Sequence, residues 1–149
     1  MKLDFFSKIY GSGIYTGFIP FASGTFGSIV ATGIFLIPGF TNYYIILPAI
    51  LVSTLVGIPM GDRFEKVYGK DPSEFTLDEF VGTWISYLFL PLNVYWITAA
   101  FILWRILDII KPFPAGKLEN IPGGMGIMID DIVSGLYTCL VMNLIYRLI

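Results

Sequence analysis

Phe80-Val-Gly-Thr-Trp-Ile-Ser-Tyr-Leu-Phe-Leu-Pro-Leu-Asn-Val-Tyr-Trp-Ile-Thr-Ala-Ala-Phe-Ile-Leu-Trp-Arg-Ile-Leu-Asp-Ile-Ile110 holds only two charges, Arg105 and Asp108, in thirty-one residues. A helix that spans a bilayer needs about 20 apolar residues, so this run is too long for one straight crossing. Pro91-Leu92-Asn93 is its natural break. The stretch therefore reads as a helical hairpin, Phe80–Leu90 followed by Val94–Ile110. Working outward, Tyr43 to Met60 carries no charge, Ile132 to Ile149 carries only Arg147, and Phe26 to Pro38 is apolar but short. The pattern predicts an all-α integral membrane protein, a small bundle of about five transmembrane or half-membrane helices with its catalytic loops on one face.

Composition agrees. Of the 149 residues 56% are hydrophobic and 13% charged, against about 25% charged in a typical soluble domain, and the mean hydropathy is +0.77. Neither a linker nor an internal repeat divides the chain, so residues 1–149 read as one domain. No basic patch marks a nucleic-acid partner. The start, Met1 to Lys8, lacks an uninterrupted apolar run with a small-residue cleavage site, and no cleaved signal peptide is expected.

Absences narrow the chemistry. There is no histidine, which excludes a Ser-His-Asp triad and a His-ligated zinc site. Cys139 is the single cysteine, excludes an internal disulfide, and reads as a small hydrophobe within the last apolar run. Carboxylate chemistry remains, which at neutral pH calls for a hard, oxygen-liking cation such as Mg²⁺.

Alternating the five segments across a membrane puts residues 1–25, 61–79 and 111–131 on one side. That side carries Lys2, Lys8, Arg63, Lys66, Lys70, Lys111 and Lys117, and the other offers only Arg147. The positive-inside rule makes the first side cytoplasmic, and Tyr43, Tyr44, Tyr95 and Trp96 then mark the far interface. The expected location is the inner (cytoplasmic) membrane, with several crossings and the active site on the cytoplasmic side.

Every polar motif falls on that side. Gly24, Thr25, Gly27 and Ser28 stand just ahead of an apolar helix, where glycine amides and hydroxyls can meet an anion or simply cap and pack the helix. Asp62, Glu65 and Lys66 have helical spacing and read as a solvated surface turn, and Asp71 before Pro72 reads as a turn. Asp78-Glu79 leads straight into an apolar helix. One acid there is accounted for by the helix dipole, two less readily. Arg105, Asp108 and Lys111 share a helix face. Gly123-Gly-Met-Gly-Ile-Met-Ile-Asp-Asp131 looks like a flexible lead into the last helix, with Asp130 and Asp131 adjacent at its start. Paired acids there repel unless a cation sits beside them, which favours a metal site.

Four blocks in order resemble the phosphatidylglycerophosphatase A family over nearly the whole chain: Gly-Thr-x-Gly-Ser at 24–28, Lys-Asp-Pro ahead of Asp-Glu-x-x-Gly at 78–82, Arg-x-x-Asp-Ile-x-Lys-Pro-x-Pro at 105–114, and Gly-Ile-Met-x-Asp-Asp-x-x-x-Gly at 126–135. Ser23 departs from the family pattern, which favours proline there. The resemblance implies a Mg²⁺-dependent lipid phosphatase that converts phosphatidylglycerol phosphate to phosphatidylglycerol among membrane lipid. It implies metal ligation by Asp78, Glu79, Asp130 and Asp131. Catalysis would fall to Asp78, Asp108, Asp130, Asp131, Arg105 and Lys111, and phosphate binding to Gly24, Thr25, Gly27, Ser28, Arg105 and Lys111. The attacker stays open between water and a carboxylate, and the lack of an Asp-x-Asp-x-Thr/Val signature favours water. Two other readings stand beside this one: a same-family phosphatase of a soluble phosphomonoester, and a non-enzymatic transporter or scaffold. Oligomeric state is not legible.

Overall fold

A computed structural model describes residues 2–149. Among them are seven α-helices, one 3₁₀ turn and no strand. They are α1 Phe5–Gly11, the 3₁₀ turn Thr16–Phe18, α2 Ser23–Phe35, α3 Tyr43–Tyr68, α4 Leu77–Ser86, α5 Val94–Ile110, α6 Ala115–Leu118 and α7 Gly124–Leu148. Asp4, Asn42 and Asn93 cap α1, α3 and α5 by accepting from backbone amides two or three residues on. Two helices, α3 and α7, are long and apolar enough to cross a membrane.

Helix boundaries depart from the sequence reading in instructive ways. The segment expected from Phe26 begins at Ser23, so Gly24, Thr25, Gly27 and Ser28 are helical rather than ahead of a helix. Ser23 occupies the first helical position, where proline is favoured for its preset φ, and its hydroxyl instead ties the turn to Ser73 O at 2.9 Å. Helix α3 runs past Met60 to Tyr68, absorbing Asp62, Glu65 and Lys66. The first arm of the hairpin, expected over Phe80–Leu90, lies earlier, at Leu77–Ser86. At ten residues α4 is about 15 Å long and cannot cross a hydrocarbon core of about 30 Å. Helix α7 starts at Gly124 rather than Ile132, so the glycine-rich lead is ordered helix and Asp130 and Asp131 lie two turns inside it.

The glycines explain that last difference. A Cβ at Gly61 would stand 2.6 Å from Gly124 Cα, so the two residues let α3 and α7 cross in backbone contact. The amides that begin α7 are met by α3 side chains, Gly124 N donating to Asp62 Oδ1 at 2.7 Å and Gly123 N to Glu65 Oε2 at 2.9 Å. Those acids cap a neighbouring helix rather than face water. A second close crossing joins α4 to α7, where a Cβ at Gly135 would meet Gly82 O at 2.8 Å. The side of Gly82 is already filled by the Trp104 ring.

Helix α4 is thus the buried centre, packed on α2, α3, α5 and α7. Leu77, Val81, Trp104, Tyr87, Phe64 and Met128 form the core around it. Hydroxyls in the bundle close on their own helix: Thr32, Thr54, Thr83, Ser86 and Thr138 each donate to the carbonyl four residues back. This satisfies a polar group where no water is at hand. The outside is apolar, with Leu51, Leu55, Ile102, Leu140 and Leu144 exposed. Tyr43 packs tilted against Phe89, and Trp96 meets Tyr146 edge-on, at one end. At the opposite end lies the polar pocket.

Candidate metal centre and phosphate pocket

Asp78 and Glu79 sit in the first turn of α4, where carboxylates favour the helix N-terminus, and the α4–α7 glycine crossing brings Asp131 across to them. One carboxylate oxygen from each of Asp78, Glu79 and Asp131 lies within 4.8 Å of the other two. At an effective dielectric of about 20, ionised carboxylates at that distance repel by about 3.5 kcal/mol per pair. Three pairs would cost about 10 kcal/mol, comparable to the whole stability of a domain. A shared divalent cation removes the conflict. Two of the buried oxygens, Asp78 Oδ1 and Asp131 Oδ2, have no hydrogen-bond partner. Unpartnered buried carboxylate oxygens are costly and point to a missing ligand. The trio therefore fits a hard cation such as Mg²⁺, which takes carboxylate oxygens.

The other charged residues flank the trio in two pairings. Arg105 of α5 donates through Nη1 to Glu79 Oε2 at 2.6 Å and Asp108 Oδ2 at 2.8 Å. Its Nε is buried without a partner. Gly24 makes room for this arrangement, since a Cβ there would lie against the Glu79 carboxylate and 3.2 Å from Arg105 Nη2. Ser28 accepts from Trp104 Nε1 at 3.2 Å and lies 3.4 Å from Glu79 Oε2, holding the acid from beneath.

Lys111 pairs with Asp130. It caps α5 in the left-handed conformation, φ 51°, with its amide returning to Leu107 O at 2.8 Å. From there the ammonium donates to Asp130 Oδ2 and stands 3.6 Å from Glu119, 3.8 Å from Asp108 and 4.0 Å from Asp131. Burial opposes its charge, but Asp131, Asp130 and Asp108 more than offset this, so its pKa stands above the ordinary lysine range. Asp130 Oδ1 accepts the Asp131 amide at 2.9 Å, so both Asp130 oxygens are engaged. Asp130 thus stands beside the trio as the anchor of Lys111.

These groups wall a pocket of about 390 Å³ together with Ala22, Ser23 and Gly24 at the start of α2. The first amides of α2 have no partners within the helix and favour an anion. Thr25 does not line the pocket, and Gly27 packs toward Thr76 and Thr16. Asp71, a turn residue by its sequence, also lines the pocket. Its Lys-Asp-Pro setting signals a turn and carries no hint of the fold that returns it to the acids. In all, Asp71, Asp78, Glu79, Asp108, Asp130 and Asp131 face only Arg105 and Lys111. A phosphate dianion would enter this excess of negative charge only with added cation.

The phosphatidylglycerophosphatase A family model matches residues 9–146. A putative phosphatidylinositol-3-phosphatase from Bacteroides thetaiotaomicron is 38% identical over 91% of this chain and 90% of its own. The phosphatidylglycerophosphatase A of Escherichia coli is 36% identical over 83% of this chain and 73% of its own. That of Haemophilus influenzae is 37% identical over 87% and 82%. No solved structure matches the chain.

Proposed function

Since the chain belongs to the phosphatidylglycerophosphatase A family, we propose that it is a membrane-embedded, Mg²⁺-dependent phosphatase. Its substrate is phosphatidylglycerol phosphate, from which it removes the terminal phosphate to leave phosphatidylglycerol. The observation that carries this reading is the convergence of Asp78, Glu79 and Asp131 beside Arg105 and Lys111, with two carboxylate oxygens unpartnered. Asp78, Glu79 and Asp131 would hold Mg²⁺, which when bound supplies positive charge for the phosphoryl oxygens and eases attack by water. Arg105, whose Nη1 is spent on Glu79 and Asp108, has Nη2 in no hydrogen bond and left to donate to a phosphate oxygen. Lys111, kept protonated by its acids, offsets charge on the transferred group. The α2 amides bind the same anion, and Asp130 and Asp108 fix the two cationic side chains.

The apolar exterior and the length of α3 and α7 support a bundle set in the inner membrane. The lysine-rich acid end faces the cytoplasm, where the phosphorylated headgroup lies. One relative favours a second substrate, since the Bacteroides protein is named for a phosphoinositide. Purified protein should release phosphate from phosphatidylglycerol phosphate in detergent with Mg²⁺ and stop when EDTA removes it. Faster release from phosphatidylinositol 3-phosphate would transfer the assignment to that lipid, and release from neither would refute it.

A further inference from the structure

About one helical turn from the acid pocket lies an apolar groove that the phosphate chemistry does not use. Helices α2 and α5 flank the pocket through Gly24 and through Arg105 and Ile109. Farther along, α4 lies beneath both, and the space between α2 and α5 stays open as two cavities of about 220 and 260 Å³. Both cavities are lined by Thr32, Ile97 and Thr98, which makes them one groove. Ile29 and Phe101 line its nearer part, Leu36 and Leu92 its far part.

The groove is aligned with the phosphate site. On α5, Ile109, Arg105, Phe101, Thr98 and Val94 follow at intervals of three or four residues and so share one face. From Arg105 to Val94 the helix advances about 16 Å. Thr32 in its floor is already satisfied, pairing with Tyr87 OH at 2.7 Å and returning to Ser28 O. Thr98 and Asn93 aside, what is left to an occupant is apolar side chain. Other outward surfaces, such as Leu51 and Leu55 on α3, are exposed ridges, and the cavity around Leu140 and Arg147 adjoins the end away from the acids.

We propose that the α2–α5 groove, lined by Ile29, Thr32, Ile97, Thr98 and Phe101, holds an acyl chain of the lipid whose phosphate occupies the acid pocket. This rests on the phosphatase reading and adds to it the residues that select a long-chain lipid. The occupant follows from the groove's position: a phosphomonoester lipid seated at the acids must carry its chains away along the bundle, and this concave apolar path begins about one helical turn from Arg105, at Phe101.

The test compares dipalmitoyl with dihexanoyl phosphatidylglycerol phosphate. Thr98→Trp and Ile29→Trp fill the groove from either wall, and Leu51→Trp adds equal bulk on α3. Each groove variant should lower the dipalmitoyl-to-dihexanoyl ratio of kcat/KM by about tenfold, as hydrophobic pockets discriminate, with the α3 variant keeping the wild-type ratio. An unchanged ratio in both groove variants overturns the assignment. A dipalmitoyl lipid bearing a chain-end diazirine gives a readout on wild-type protein: labelling should concentrate on the α2–α5 groove residues and fall when dihexanoyl lipid competes. Labelling spread evenly over α3 and α7 overturns it. Wild-type protein that releases phosphate neither from these two lipids nor from phosphatidylinositol 3-phosphate sinks the phosphatase reading and the groove with it, a failure distinct from that of the groove alone.

Discussion

Replacing Asp131 by asparagine removes one of the three carboxylates while keeping its volume, and the structure sets how large the consequence should be. Asp131 is 2% exposed, its Oδ2 has no partner, and it lies within 4.8 Å of the ligand oxygens of Asp78 and Glu79. With Mg²⁺ at 100 times its dissociation constant, the wild-type protein gains about 2.7 kcal/mol by binding. For a chain of 149 residues at about 2–4 °C per kcal/mol, that is a rise in Tm of about 5–11 °C. If the loss of one ligand weakens affinity about 100-fold, the same Mg²⁺ adds about 0.4 kcal/mol, or about 1–2 °C. Without divalent cation the order changes, because the crowded acids must take up protons to sit together and the variant has one acid fewer, and it should melt no lower than wild type. Thermal unfolding in detergent with EDTA and with Mg²⁺, beside phosphate release, measures all three expectations. Asp131→Asn that turns over near the wild-type rate and keeps the full Mg²⁺ shift would refute the shared-cation reasoning.

Lys111→Met should leave Asp130 buried without its partner and cost about 3–5 kcal/mol, and Lys111→Arg should restore most of that in thermal unfolding. Because the folded pKa of Lys111 is raised, its stabilising contribution is fully present below the unfolded value of about 10.4 and is lost only as pH rises through the higher folded one. A pH profile of kcat/KM should therefore show no lysine limb below about pH 10. Asp62→Ala removes a cap from the start of α7 and should cost about 1–2 kcal/mol. Phosphate release should fall as well, since α7 carries Asp130 and Asp131, and Asp62→Asn should recover part of both losses.

The acids stood out in the sequence because ionised groups are rare within apolar runs, and Asp78, Glu79, Asp108, Asp130 and Asp131 were all found that way. Their division of labour was not legible. That Asp130 anchors Lys111 while Asp131 turns to Asp78 depends on adjacent residues facing different neighbours across a helix crossing, which no spacing rule encodes. Asp71 was missed because a turn residue joins the pocket only through the path of the whole 69–76 loop. Asp62 and Glu65 look solvated in the sequence because their helical spacing is equally that of an exposed face. The amides they cap come from α7. The glycines ahead of Asp130 looked flexible in isolation, yet Gly124 is helical and pressed against Gly61.

From the chain alone came the helical class, the break at Pro91, the exclusion of histidine and disulfide chemistry, and the acids beside the apolar runs. These follow from composition and local spacing, which act within a few residues. Tertiary structure decided which carboxylates converge, how short α4 is, and where a groove opens between α2 and α5. Those features depend on backbones approaching at Gly61–Gly124 and Gly82–Gly135, and contact between residues far apart in sequence is set by packing the whole bundle at once.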